Sequence, residues 1–308
     1  MFTEISQRSP LNSAGANSEK SRGRITAPGI RGRKHAPDKS NLKKIVCLTA
    51  YDFTMSALLD STSCVDLLLV GDSLSGIVQG FETTLPVTLD EMIYHSRCVV
   101  RGAQHALVVS DMPFMSYQVS VEQALTNAGR LMKEAGVGAV KLEGGAELSE
   151  TVARLVCAGI PVMGHVGLTP QSYHTLGGHK RQGKTAQQQD KILNDARALS
   201  DAGAFSVVLE CIPSTLALKI TREISCPTIG IGCGDECDGQ ILVVNDLLGL
   251  RLGTAPAFVK PEANLSLDIA LAVQRFAARI QGQIGQEQIV QAERADANVL
   301  KGVEYASI

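Results

Sequence analysis

Tryptophan is absent from this 308-residue chain, and aromatic residues make up only 4% of it. A protein that binds nucleic acid by stacking bases on aromatic rings needs more of them, so no nucleic-acid partner is expected. No apolar run approaches the roughly 18 residues of a transmembrane helix, so no membrane partner is expected either. No apolar core follows Met1, so no secretory signal is expected. The eight cysteines (Cys47, Cys64, Cys98, Cys157, Cys211, Cys226, Cys233 and Cys237) contain no CxxC pair. Cys233 and Cys237 have three residues between them and no histidine pair nearby, which is poor zinc spacing. Reduced thiols are expected throughout. Hydrophobic residues at 44% and charged residues at 19% are ordinary globular composition.

Acidic residues are scarce at the start. Residues 1–44 carry ten Lys/Arg against three Asp/Glu, a balance of +7, so the remainder carries 19 against 28, or −9. Residues 1–23 are also rich in Ser, Gly and Asn and lack periodicity, which reads as a disordered basic leader. An organelle transit peptide is the alternative. Glu4 and the missing amphipathic face favour a solvated tail on a cytoplasmic protein.

From residue 45 short runs rich in Val, Leu and Ile recur eight times: 45–50, 65–72, 106–111, 139–145, 161–167, 206–211, 227–234 and 252–259. Each is too short for a helix and lacks polar alternation, as expected of strands buried on both faces. Helical spacing fills the gaps, over 86–102, 119–135, 147–158, 187–202 and 214–224. Gly136, Gly159 and Gly203 follow such stretches, where a left-handed cap favours glycine. Alternation of this kind predicts a parallel sheet with right-handed crossovers. Eight units in about 215 residues fit a closed (β/α)8 barrel better than a doubly wound sheet, which would place GxGxxG after its first strand rather than AYDFTMSALLD. The expected organisation is a leader at 1–23, a TIM barrel over 24–282 ending in an amphipathic helix at 262–281, and a polar tail at 283–308.

In such barrels the active site lies at the carboxyl ends of the strands, so polar residues ending apolar strands are informative. They are Asp72 and Ser73 after strand two, Asp111 after strand three, Lys141 and Glu143 on strand four, His165 on strand five and Glu210 on strand six. Each has a bland alternative: a turn cap for Asp72, Asp111 or Glu210, an ion pair for Lys141 with Glu143, a core histidine for His165. Together on one rim they point to a site, because an unpaired buried carboxylate costs several kcal/mol. Neighbouring strands lie about 4.8 Å apart, which gathers Asp72, Asp111 and Glu143. Three carboxylates without paired His or Cys suit a hard ion such as Mg²⁺. Lys141, on the same strand face as Glu143, suits a substrate carboxylate. Glu210, across the mouth, is placed to act as a base, with His165 as a further candidate. The glycine-rich, basic segment 167–185 is long for a barrel connection and suits a mobile lid or a loop binding an anionic partner.

At these residues the chain closely resembles the ketopantoate hydroxymethyltransferase family. The resemblance runs through LTAYDF (48–53), LLVGDSL (68–74), TLPVTLDEM (84–92), SDMPFMSY (110–117), VKLEGG (140–145), VMGHVGLTPQS (162–172), GGHKRQGK (177–184), VLECIP (208–213) and IGIGCGDECDGQILV (229–243). It implies a barrel of the phosphoenolpyruvate/pyruvate superfamily type, assembled as a homo-oligomer, often a decamer. The implied reaction transfers a one-carbon unit from 5,10-methylenetetrahydrofolate to 3-methyl-2-oxobutanoate. By resemblance Asp72, Asp111 and Glu143 bind Mg²⁺, Asp72, Ser73, Asp111 and Lys141 contact the oxo acid, and Glu210 accepts the proton. Ser75-Gly76 and His179 with Arg181 depart from the family's usual residues. Two rivals remain: a Mg²⁺-dependent C–C or P–C lyase on the same barrel, and a non-catalytic protein acting through its basic leader.

Overall fold

The computed structural model describes residues 23–35, 43–253 and 255–282. Most of the expected leader and all of the expected tail lie outside the described residues. Eight parallel strands close into a barrel in sequence order: β1 (Ile45–Thr49), β2 (Leu67–Val70), β3 (Leu107–Asp111), β4 (Ala139–Glu143), β5 (Val162–Gly167), β6 (Ser206–Glu210), β7 (Thr228–Ile231) and β8 (Gly239–Leu242).

The helices are α1 (Ala27–Gly32), α2 (Phe53–Ser61), α3 (Leu89–Gly102), α4 (Val121–Arg130), α5 (Ser149–Cys157), α6 (Tyr173–Leu176), α7 (Ala186–Asp201), α8 (Ser214–Glu223), α9 (Val244–Leu247) and α10 (Leu265–Ile280). Their starts are chemically marked. Asp52 accepts the Met55 N–H ahead of α2, and Thr88 with Glu91 forms a reciprocal capping box on α3. Thr185 and Gln188 repeat that box on α7. Gly136, Gly159 and Gly203 all have left-handed φ, as the caps require.

The barrel interior is packed by alternate strand residues. Cys47, Leu67, Leu69, Leu107, Val109, Ala139, Met163, Val208, Ile229 and Ile241 form one buried cluster with Ala27, Ile30, Ile45 and Phe205. The two-residue strand period then carries inward direction from Val109 to Asp111, from Ala139 to Lys141 and Glu143, from Met163 to His165, and from Val208 to Glu210. The polar residues therefore occupy the same inward column as the apolar core, one or two steps nearer the carboxyl end.

The sequence reading misplaces the eighth strand. Residues 252–259 form no strand among those described, and Leu252 is 98% exposed. The closing strand is instead GQIL at 239–242, paired with β1 through Ile45 to Gly239 and with β7 through Ile229 to Gly239. Its weak apolar pattern hides it. Gly239 is needed for close approach, since a Cβ there would lie 2.5 Å from the Ile45 carbonyl oxygen. The last strand of the barrel thus ends at Leu242. Among the described residues, those from Asn245 to 282 belong to a second compact unit containing α10, which buries none of its residues. Among the described residues no helix is long and apolar enough to cross a membrane.

Candidate active site

Asp72, Asp111, Lys141, Glu143 and His165 are all buried at the carboxyl rim. Asp111 Oδ2 accepts the Asp72 main-chain N–H at 3.0 Å, drawing the ends of β2 and β3 together. Lys141 Nζ lies 2.5 Å from Asp111 Oδ1 and 3.9 Å from Glu143 Oε1. Burial disfavours the Lys141 ammonium, but Asp111, Glu143 and Asp72 outweigh it and hold the lysine charged. Burial, with the Asp111 and Glu143 carboxylates, pushes the Asp72 carboxyl well above its ordinary range. Burial also raises Asp111, against the pull of Lys141.

A second line of contacts runs from β4 to β6. His165 Nδ1 lies 3.5 Å from Glu143 Oε1, and its Nε2 lies 3.2 Å from Glu210 Oε2. Neither contact is aligned as a hydrogen bond, so these are ion-pair distances. Burial and Lys141 work against a charged imidazole, yet the two carboxylates prevail and raise His165 to about 9. Burial works against the Glu143 carboxylate, but His165, Lys141 and the Gln171 N–H lower it overall. Glu210 is the more open end of the line, with 18% of its side chain exposed. Gly167 faces it across the strand pair: φ is +97°, and a Cβ there would meet the Glu210 carbonyl oxygen at 2.4 Å.

The structure therefore brings Asp72, Asp111, Lys141, Glu143, His165 and Glu210 into one connected group. Ser73 is adjacent, its Oγ 2.8 Å from the Tyr51 hydroxyl. Two participants escape the sequence reading. Gln171 Nε2 donates to Asp72 Oδ2 and to the Met112 carbonyl, each at 2.9 Å, and its main-chain N–H donates to Glu143 Oε2 at 2.9 Å. The Tyr117 hydroxyl lies 2.7 Å from Gln171 Oε1 and accepts the Glu143 N–H at 3.1 Å. Both sit within quoted motifs, TPQS and SDMPFMSY, but as uncharged residues off the strands they carry no burial signal.

The departures from the family pattern include direct neighbours of this group: the Ser75 N–H donates to the Asp72 carbonyl at 3.0 Å and the Gly76 N–H to the Ser73 carbonyl at 3.1 Å. Ser75 Oγ donates to the Thr83 carbonyl at 2.6 Å. The His179 ring stacks edgewise on Tyr173, and Arg181 donates to the Ile212 carbonyl at 3.2 Å.

The donor set tests well for a hard cation on charge and chemistry. Three buried carboxylates lie near Lys141, and burial first, then the Asp111 and Glu143 charges, lifts Asp72. Among the described residues no three His, Cys, Asp or Glu side chains are already drawn around a common point. Asp72 and Asp111 are the adjoining pair, while Glu143 turns toward His165 and the Gln171 main chain.

A closed parallel (β/α)8 barrel with buried carboxylates and a lysine clustered at its carboxyl rim has the architecture in which barrel enzymes place their active sites. Solved structures agree on that fold. A phosphoenolpyruvate phosphomutase from Streptomyces platensis subsp. rosaceus superposes with TM-score 0.53 at 14% identity, covering 91% of this chain and 100% of that one. A 2,3-dimethylmalate lyase superposes with TM-score 0.53 at 15% identity, covering 92% and 98%. The chain belongs to the ketopantoate hydroxymethyltransferase family, whose sequence model matches residues 31–284, and it is a hydroxymethyltransferase. It is 54% identical over 260 residues to the 3-methyl-2-oxobutanoate hydroxymethyltransferase of Syntrophus aciditrophicus, covering 84% of this chain and 93% of that one. The corresponding enzyme of Carboxydothermus hydrogenoformans is 52% identical over 260 residues, 84% and 92% of the two chains.

Proposed function

We propose that this enzyme transfers a hydroxymethyl group from 5,10-methylenetetrahydrofolate to 3-methyl-2-oxobutanoate, giving 2-dehydropantoate and tetrahydrofolate for pantothenate synthesis. The observation that carries the reading is the connected line Asp111–Lys141–Glu143–His165–Glu210 at the barrel rim, with Asp72 beside it. The 54% identity to a hydroxymethyltransferase favours this transfer over the lyase rival, because the lyase and mutase structures share the fold at only 14–15% identity.

Asp72, Asp111 and Glu143 would hold Mg²⁺, which when bound supplies Lewis acidity to the keto group of the oxo acid. The Lys141 ammonium offsets the substrate carboxylate, and Ser73 donates to it from the end of β2. Glu210 takes the proton from C3 of the oxo acid. His165, charged at neutral pH, sets its Nε2 3.2 Å from Glu210 Oε2 and fixes the direction of that carboxylate. C3 then bonds to the folate-borne carbon, and water supplies the hydroxyl as tetrahydrofolate leaves. His179, Lys180, Arg181 and Lys184 are exposed on the loop above this rim and suit an anionic co-substrate. A cytoplasmic homo-oligomer, a decamer by family resemblance, completes the reading.

Glu210→Gln tests it. The amide keeps the shape but takes no proton at neutral pH, and removing a general base costs about 10²–10⁴-fold. The variant is expected to bind Mg²⁺ and oxo acid nearly normally while losing deuterium incorporation at C3 in D₂O, read by NMR without folate. Exchange at the wild-type rate would make Glu210 a structural cap and remove it as the base.

A further inference from the structure

Gln171 belongs to no strand, yet the residue is only 6% exposed and its side-chain amide is fully committed. An amide has two N–H donors and one oxygen that accepts twice. Here the donors go to Asp72 Oδ2 and the Met112 carbonyl, and the oxygen meets Tyr117 and the Gln118 Nε2 at 3.2 Å. The opposite amide orientation would set Oε1 against two acceptors, so only one orientation fits. With its main-chain N–H on Glu143, this one residue after β5 touches groups that follow or end β2, β3 and β4.

Its place in the chain gives the contact a second meaning. Gln171 lies in the turn Pro170–Ser172, where the segment 168–185 leaves the barrel. The same segment returns at Gln182, whose N–H donates to the Cys211 carbonyl at 2.9 Å, directly beyond Glu210. One end of the loop thus rests on Asp72 and Glu143 and the other beside the proposed base. A neutral donor is what the inner end admits. A glutamate there would add a fourth carboxylate, and an apolar residue would leave Asp72 Oδ2 without this donor.

We propose that Gln171 is a positioning residue that aims the Asp72 carboxylate for oxo-acid binding and ties that aim to the seating of the 168–185 loop. This inference rests on the reading of Asp72 as part of the oxo-acid site. Outer-sphere partners of this kind typically contribute 10–100-fold in affinity or activity.

The test uses the full chain with Mg²⁺ and compares Gln171→Met, Gln171→Glu, Asp72→Asn and the double variants. C3 exchange of 3-methyl-2-oxobutanoate gives KM and kcat, calorimetry gives oxo-acid Kd, and thermal melting reports the fold. Each Gln171 variant is expected to raise KM and Kd about 10–100-fold with a smaller change in kcat. In the Asp72→Asn background the same change should add little, because the group it acts through is gone. A fall in melting temperature and active fraction at unchanged KM would overturn the proposal, as would additive effects in the double variants. If Gln171→Met does not fold, Gln171→Glu, which keeps the shape and the Tyr117 contact, decides alone. If the wild-type chain neither binds nor exchanges the oxo acid, the functional reading fails instead. The Gln171–Asp72 link is then judged by whether the melting-temperature changes are non-additive, additivity overturning it.

Discussion

Lys141 and Asp111, thirty residues apart in sequence, hold a 2.5 Å ion pair in which each side chain is at most 5% exposed. The pair exists because β3 and β4 are hydrogen-bonded neighbours in register Asp111 to Lys141. Both residues extend an inward column that is apolar lower down. The Lys141 ammonium and the charged His165 ring face the carboxyl groups of Asp72, Asp111, Glu143 and Glu210, and that surplus of carboxyl groups is the physical basis for expecting a cation.

Asp111→Asn keeps the shape and still accepts the Asp72 N–H, but removes one charge from the cluster. Mg²⁺ affinity measured by calorimetry is expected to fall at least tenfold, with far-UV circular dichroism unchanged. Chelation of the wild-type enzyme should stop C3 exchange in the same assay, and added Mg²⁺ should restore it. Tight Mg²⁺ binding by a folded Asp111→Asn protein would remove Asp111 from the ligand set.

Gly167→Ala places a methyl group on backbone with φ +97° and against the Glu210 carbonyl. Strained backbone of this sort costs on the order of 1–3 kcal/mol, and relief requires β5 and β6 to part beside Glu210, the proposed base. The variant is expected to melt earlier and to lose exchange rate in its folded fraction. Wild-type exchange per folded molecule would show that Glu210 does not depend on this strand pairing.

Asp60 offers a control away from the site. Its carboxylate accepts the main-chain N–H groups of Gln104, His105 and Ala106, which fastens the end of α2 to the approach into β3. Hydrogen bonds to a charged group contribute about 1.5–3 kcal/mol each. With water replacing part of the loss, Asp60→Ala should destabilise by on the order of 2–4 kcal/mol. The expected signature is an earlier melt with KM for the oxo acid unchanged. A large change in KM would mean that this end of the barrel communicates with the rim.

By itself the sequence determined the repeating strand and helix units, and through them the barrel. Buried parallel strands must be apolar on both faces, and that leaves a pattern visible without coordinates. It also exposed Asp72, Asp111, Lys141, Glu143, His165 and Glu210, because a charge ending an apolar strand is costly unless it has work to do. The tertiary structure decided what that logic could not reach. β8 reads weakly because Gly239 is dictated by close approach to Ile45, a contact between residues 194 positions apart (239 − 45). Gln171 and Tyr117 carry no net charge and lie in loops, so only folding, which sets a loop amide between Asp72 and a buried phenol, gives them their roles. Their interactions are directional hydrogen bonds between distant segments, and a linear pattern of hydrophobicity holds no record of those.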